Sequence, residues 1–126
     1  MLAQTPDQLI TSLCTGLEAA SVGYALTGAA AARKVAPFVT NILVVHVWVA
    51  ATVDRIEVCH QIGATPVESG PNVVLLQDRD NTPLAFRART EDEWLANVFR
   101  LYSDLQRDPR RGQEQGEHLR SQVIQF

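Results

Sequence analysis

Lysine is almost missing from this 126-residue chain: Lys34 stands alone beside ten arginines, against fourteen acids, for a net charge of −3. A domain that holds nucleic acid through its phosphates is usually basic, so a surface-wide grip on DNA is not expected. Cysteine is scarce too. Cys14 and Cys59 have no CxxC spacing, which excludes a zinc ribbon and a disulfide framework. There is no GxxxxGK[ST] and no GxGxxG, so the common glycine-rich phosphate loops are absent. The longest apolar run, Ile42 to Ala51, contains His46 and is too short to span a bilayer; no membrane partner is expected. The opening MLAQTPDQL carries neither the basic nor the apolar region of a secretion signal, so the expected location is the cytoplasm, with both thiols reduced.

What is present is ordinary for a globular chain, with 46% hydrophobic and 20% charged residues. The length fits one domain, residues 1–126, with a core burying roughly two-thirds of the unfolded surface. TPDQLITSLCTGLEAA predicts a helix with Thr5 as N-cap, Pro6 in the first position and Leu9, Leu13 and Leu17 on one face. VGYALTG predicts a strand turning at Gly28, and AAAARKVA a helix stopping at Pro37. NILVVHVWVA predicts a strand apolar on both faces, placed centrally in a covered sheet. A helix follows, with Val53, Ile56, Cys59 and Ile62 on its inner face and Gly63 at its end. Two short strands about Ser69-Gly70-Pro71 and another over TPLAFRAR come next. Thr90 and Glu93 read as a capping box opening a helix to Gln106, and Asp108-Pro109 as the start of the last helix. The expected fold is α+β: a mostly apolar sheet of about five strands flanked by four to five helices.

The chemistry-bearing residues do not assemble into a catalytic set, and neither metal nor cofactor is expected. Cys59 and His60 are adjacent on a helix, so their side chains diverge by about 100°. His46 has no ligand near it in sequence. Cys14 lies on an apolar helix face without a paired base. The sequence LTGAA either permits a turn at Gly28 or offers backbone amides to an anion. A restriction-nuclease core needs an acid-x-Lys on a strand, and Lys34 follows the glycine turn instead. A nucleotidyltransferase core has the outline of residues 24–50: strand, glycine turn, helix, strand. It then needs paired carboxylates on that second strand. The chain carries VVHVWV there, with no acid between Arg33 and Asp54, so such a core is degenerate and without two-metal catalysis.

The most distinctive stretch is RLYSDLQRDPRRGQEQGEHLR, residues 100–120. Acids shadow its arginines. Asp104 is expected to meet Arg110 or Arg111 across a helix–helix corner, and Arg107 sits at a helix C-terminus, where a cation is favourable. Gly112 and Gly116, four apart, fit a close backbone approach. Two readings stay open: a structural corner, or Arg107, Arg110 and Arg111 offered to an anion or a partner protein.

Taken together, Leu26-Thr27-Gly28, Val47-Trp48-Val49, Tyr102-Ser103-Asp104-Leu105, Arg111-Gly112 and Leu119-Arg120 resemble, in order and spacing, the C-terminal domain of AbiEi-type antitoxins. These are the antitoxin and regulator halves of type IV toxin–antitoxin, or abortive-infection, systems. The resemblance covers roughly residues 9–124. It implies a non-enzymatic regulatory domain whose partner is a nucleotidyltransferase-like toxin or a second copy of itself. Members commonly carry an N-terminal winged helix. Only 23 residues precede Tyr24, so direct DNA binding is not expected of this segment, whether it is a single-domain member or a piece of a longer regulator. The alternative is a nucleotide- or phosphate-binding domain using the Gly28 turn and Arg110 with Arg111.

Overall fold

The computed structural model describes residues 5–36, 44–90, 92–107 and 112–124. Helix α1 (Pro6–Ala19) begins as its sequence predicts. The Thr5 hydroxyl accepts the Gln8 N–H at 3.2 Å, and the Gln8 side chain accepts the Thr5 N–H at 2.9 Å. Its inner stripe, Ile10, Leu13, Cys14 and Leu17, is buried. Strand β1 (Tyr24–Thr27) is buried at every residue and runs into α2 (Gly28–Val35). Strand β2 (Val45–Val49), helix α3 (Arg55–Ile62) and strand β3 (Val73–Leu76) follow. A hairpin of β4 (Ala88–Arg89) and β5 (Trp94–Leu95) precedes α4 (Val98–Gln106) and α5 (Gly112–Leu119). After Leu119 the helix widens into a π turn over Arg120–Ile124.

The sheet order is β3-β2-β1-β5-β4. β1 pairs antiparallel with β2, β2 parallel with β3, and β1 parallel with β5. This is a mixed five-stranded α+β fold, as expected from the element order. β2 is internal, but β1 holds the middle place. The core forms where Leu26, Val45, Val47 and Val49 meet α1, and it continues through Ala30–Ala32 to Leu101, Leu105 and Leu119. At 25 cal/mol per Å² each such side chain contributes roughly 2 kcal/mol of burial. Among the described residues no helix is long and apolar enough to cross a membrane.

Four local expectations are corrected. The helix expected from Thr90 starts at Val98, capped by Asn97, whose side chain accepts the Phe99 and Arg100 N–H groups at 3.1 and 3.0 Å. Thr90 and Glu93 do bond each other, but as a reverse turn. The Thr90 hydroxyl and N–H both donate to the Glu93 carbonyl at 2.9 Å, so the chain doubles back and Trp94–Leu95 joins the sheet beside β1. Sheet pairing outweighs the local cap there. TPLAFRAR yields one 3-10 turn at Thr82–Leu84 and two strand residues, because Phe86 takes a left-handed backbone. Of the two strands about Gly70 only β3 forms. α3 is rotated from the expected phase: Val58 is its buried residue, Cys59 is half-buried and Ile56 is 63% exposed. Its left-handed Gly63 end is as its sequence predicts, and Asp54 caps its start. Pro37, Ile42, Leu43, Asp108 and Pro109 lie outside the described residues.

Candidate functional site

Three of the sequence motifs converge. Thr27 ends β1, Trp48 lies on β2 and Asp104 lies on α4. The Thr27 hydroxyl donates to Asp104 Oδ2 at 2.5 Å, and the Trp48 indole N–H donates to the same oxygen at 2.9 Å. Thr27 and Trp48 stand on one face because Thr27 faces His46 across the strands and Trp48 lies two residues further along β2. Both donors are buried. One carboxylate oxygen therefore closes two buried donors from two strands and pins α4 to the sheet. Charge-assisted bonds of this kind contribute about 1.5–3 kcal/mol each. Above Trp48 lies Arg100, its guanidinium carbon 5.6 Å from the ring centroid.

Gly28 follows directly, at φ +69, which favours glycine at this turn. His46 packs beside it: a Cβ added at Gly28 would lie 3.4 Å from His46 Nδ1. No side chain caps α2, since the Thr27 hydroxyl is turned toward Asp104. Leu26 is fully buried and pairs with Val47 and Leu95, so its place in the motif is packing.

The C-terminal stretch is a helix pair, as its sequence implies; the expected ion pair of Asp104 with Arg110 or Arg111 falls outside the described residues. Asp104 Oδ2 faces inward to Thr27 and Trp48, while Arg110 and Arg111 lie outside the described residues. Arg107 is exposed at the C-cap of α4, its backbone N–H bonded to the Asp104 and Leu105 carbonyls. The Tyr102 hydroxyl reaches Glu117 at 3.4 Å, and Arg120 pairs with Glu117 at 2.8 Å. Gly112 and Gly116 are buried. What presses on Gly116 is side chain: an added Cβ would meet Gln106 Nε2 at 2.8 Å and Leu105 Cβ at 3.5 Å. The buried Gln115 donates to the Ala29 carbonyl at 3.2 Å, tying α5 to the first turn of α2.

Several engagements had no sequence signal. The lone lysine, Lys34, pairs with the buried Glu93 at 2.9 Å. The Cys14 thiol and Tyr24 hydroxyl share a hydrogen bond; burial pushes the thiol up to about 11 against the lowering effect of that bond, and burial also raises Tyr24. Arg87 lies 4.1 Å from the Trp94 ring centroid and donates to the Tyr24 carbonyl at 2.8 Å. Gln77 donates to the carbonyls of Ala50 and Val53 at 2.9 and 2.8 Å, binding the β2–α3 loop to the end of β3. Apart from Cys14–Tyr24 and Arg87–Trp94, these partners lie 24 to 63 residues apart in the sequence.

A cleft of about 1170 Å³ opens between α1, α3 and β3 and is lined by Leu9, Leu13, Ile56, Cys59 and Leu75 among others. Asp54 at its rim is spent on capping α3. Among the described residues no three His, Cys, Asp or Glu side chains stand close enough to hold a metal. Among the described residues, Asp104 Oδ2 accepts from both Thr27 and Trp48, an arrangement that fixes α4 to the strands. Comparisons of the chain with family models, with curated proteins and with solved structures give no match.

Proposed function

We propose that this chain is a non-enzymatic, antitoxin-like regulatory domain that works by protein–protein contact, built on a degenerate nucleotidyltransferase-like core. The observation that carries the reading is the Thr27–Trp48–Asp104 cluster. In the nucleotidyltransferase outline, the strand after the glycine turn and its helix presents metal-binding carboxylates. Here β2 presents His46 and Trp48, and Trp48 is locked to Asp104. A domain that keeps the outline while filling its reactive position with an indole is suited to binding another protein. The resemblance of the same motifs to AbiEi-type antitoxins points to a nucleotidyltransferase-like toxin as the partner, in transcriptional regulation or abortive infection. Co-expression with the product of the adjacent gene tests this. Co-purification and relief of toxicity are expected; neither binding nor relief would overturn the reading.

The second reading is a phosphate- or nucleotide-binding domain. It is favoured by the uncapped N-terminus of α2 at Gly28, with His46 beside it. It predicts that nucleoside triphosphates with magnesium raise the melting temperature. A flat response removes it.

A further inference from the structure

Phe86 is the most exposed large apolar side chain described, at 92%. It also has a left-handed backbone, φ +56, which an aromatic residue adopts at a cost. Exposed phenylalanines are common singly, but this one is held. The Arg87 N–H bonds the Leu84 carbonyl at 3.2 Å, and the Ala85 N–H bonds Thr82 at 2.9 Å. On one side Asn97 Nδ2 donates to the Ala85 carbonyl at 2.9 Å; on the other the Arg87 guanidinium is fixed to the Tyr24 carbonyl and the Trp94 ring. Asn97 is also the cap of α4, whose first turn presents Phe99, 66% exposed, and then Arg100. One asparagine thus joins the two segments that display the exposed aromatics.

The charge around them has one sign left over. Arg89, also near Trp94, is neutralised by Glu18. Arg87 and Arg100 each lie over an indole ring and make no salt bridge among the described residues. Arg100 also acts on Asp80, whose carboxyl is held below the usual range chiefly by its bonds from the Thr82 hydroxyl and N–H. Two arginines without a salt bridge among the described residues thus border the exposed aromatics on a fixed scaffold. Rigid aromatics with arginines beside them are the residues that dominate protein interfaces.

We infer that Phe86 and Phe99, flanked by Arg87 and Arg100, form the docking surface for a protein segment that offers an apolar seat between acidic residues. The inference rests on reading the domain as one that acts through protein contact, and it names the surface and the chemistry of the partner. Backbone cost at Phe86 is retained because the ring is needed outside, not because it packs inside.

The probe is a displayed library of random dodecapeptides selected against the whole chain and counter-selected against Phe86→Asn. Asparagine tolerates the left-handed region, so this variant should melt at the same temperature as the parent or higher. Enriched peptides should combine Asp or Glu with an aromatic or large aliphatic residue. Their affinity should drop about tenfold or more with Phe86→Asn and with Phe99→Ser, and a few-fold with Arg100→Gln. Phe99→Ser alters a helix surface and so reads the effect without touching the Phe86 loop. Peptides without acids, peptides indifferent to both phenylalanine variants, or no enrichment would overturn the inference. Retention of a single-stranded 30-mer RNA that depends on Phe86 would also overturn it. The two readings fail separately. If the adjacent gene product binds parent and variants alike, the docking surface is wrong and the antitoxin role stands; if peptides bind as expected and that product does not, the surface stands and the antitoxin role falls.

Discussion

The centre of the sheet and its β3 edge are built differently. On the β1 side every strand residue is buried, and α2, α4 and α5 pack together over it, tied by Asp104, Gln115 and the Tyr102–Glu117 contact. On the β3 side every strand residue is only half-buried, α3 presents Ile56 to solvent, and an open cleft separates α1, α3 and β3. The motif residues Thr27, Trp48 and Asp104 lie on the first side, where their polar atoms hold α4 to the strands. The difference teaches that a motif can mark a joint as readily as a catalyst, and that the choice turns on whether its polar atoms are already satisfied.

The largest break in this contrast is expected from Asp104→Ala. It leaves two buried donors without an acceptor and should cost about 3–4 kcal/mol in a urea melt at constant slope. Next is Lys34→Ala, which strands the buried Glu93. With the lysine partly exposed, the loss should be about 2 kcal/mol, largely restored by adding Glu93→Gln.

The pH dependence comes from the same side. The Cys14 thiol is raised in the folded chain to about 11 from 9.0, so the fold favours the neutral form. That stabilisation is fully present below pH 9 and is lost as pH rises through 11. Melts at pH 8 and pH 11 should differ by roughly 2 kcal/mol from this group. Tyr24, shifted the same way, adds to the loss at the upper end. A thiol reagent at neutral pH should label the half-buried Cys59 and reach Cys14 only in denaturant. On the β3 side, by contrast, Ile56→Ser should change stability by less than about 0.5 kcal/mol. A loss comparable to that of Asp104→Ala would erase the distinction between the centre of the sheet and its β3 edge.

The sequence made the first half of the chain legible because its signals there are local. Thr5 and Pro6 open α1, Gly28 turns β1 into α2, and Gly63 ends α3. It misled where tertiary pairing outbid a local signal. Thr90 and Glu93 satisfy each other as a cap would, yet the strand beside β1 claims Trp94–Leu95. The phase of α3 was set by which side of the helix met the sheet, and four apolar residues of similar spacing do not specify that. The motif residues of the candidate site were visible one by one, but their meeting was not. A threonine hydroxyl 77 residues from a carboxylate gives no periodicity to read. Phe86 was hidden for another reason: neither its exposure nor its left-handed backbone is written in the residue type.

Thr27, Trp48 and Asp104 act as one structural unit. A double-mutant cycle between Trp48→Phe and Asp104→Ala, read by urea unfolding, tests it most directly. Phenylalanine keeps most of the ring packing and removes the indole N–H that Asp104 accepts. The account predicts a coupling of roughly 1 kcal/mol or more between the two sites. Simple additivity, with the two losses summing independently, would contradict it.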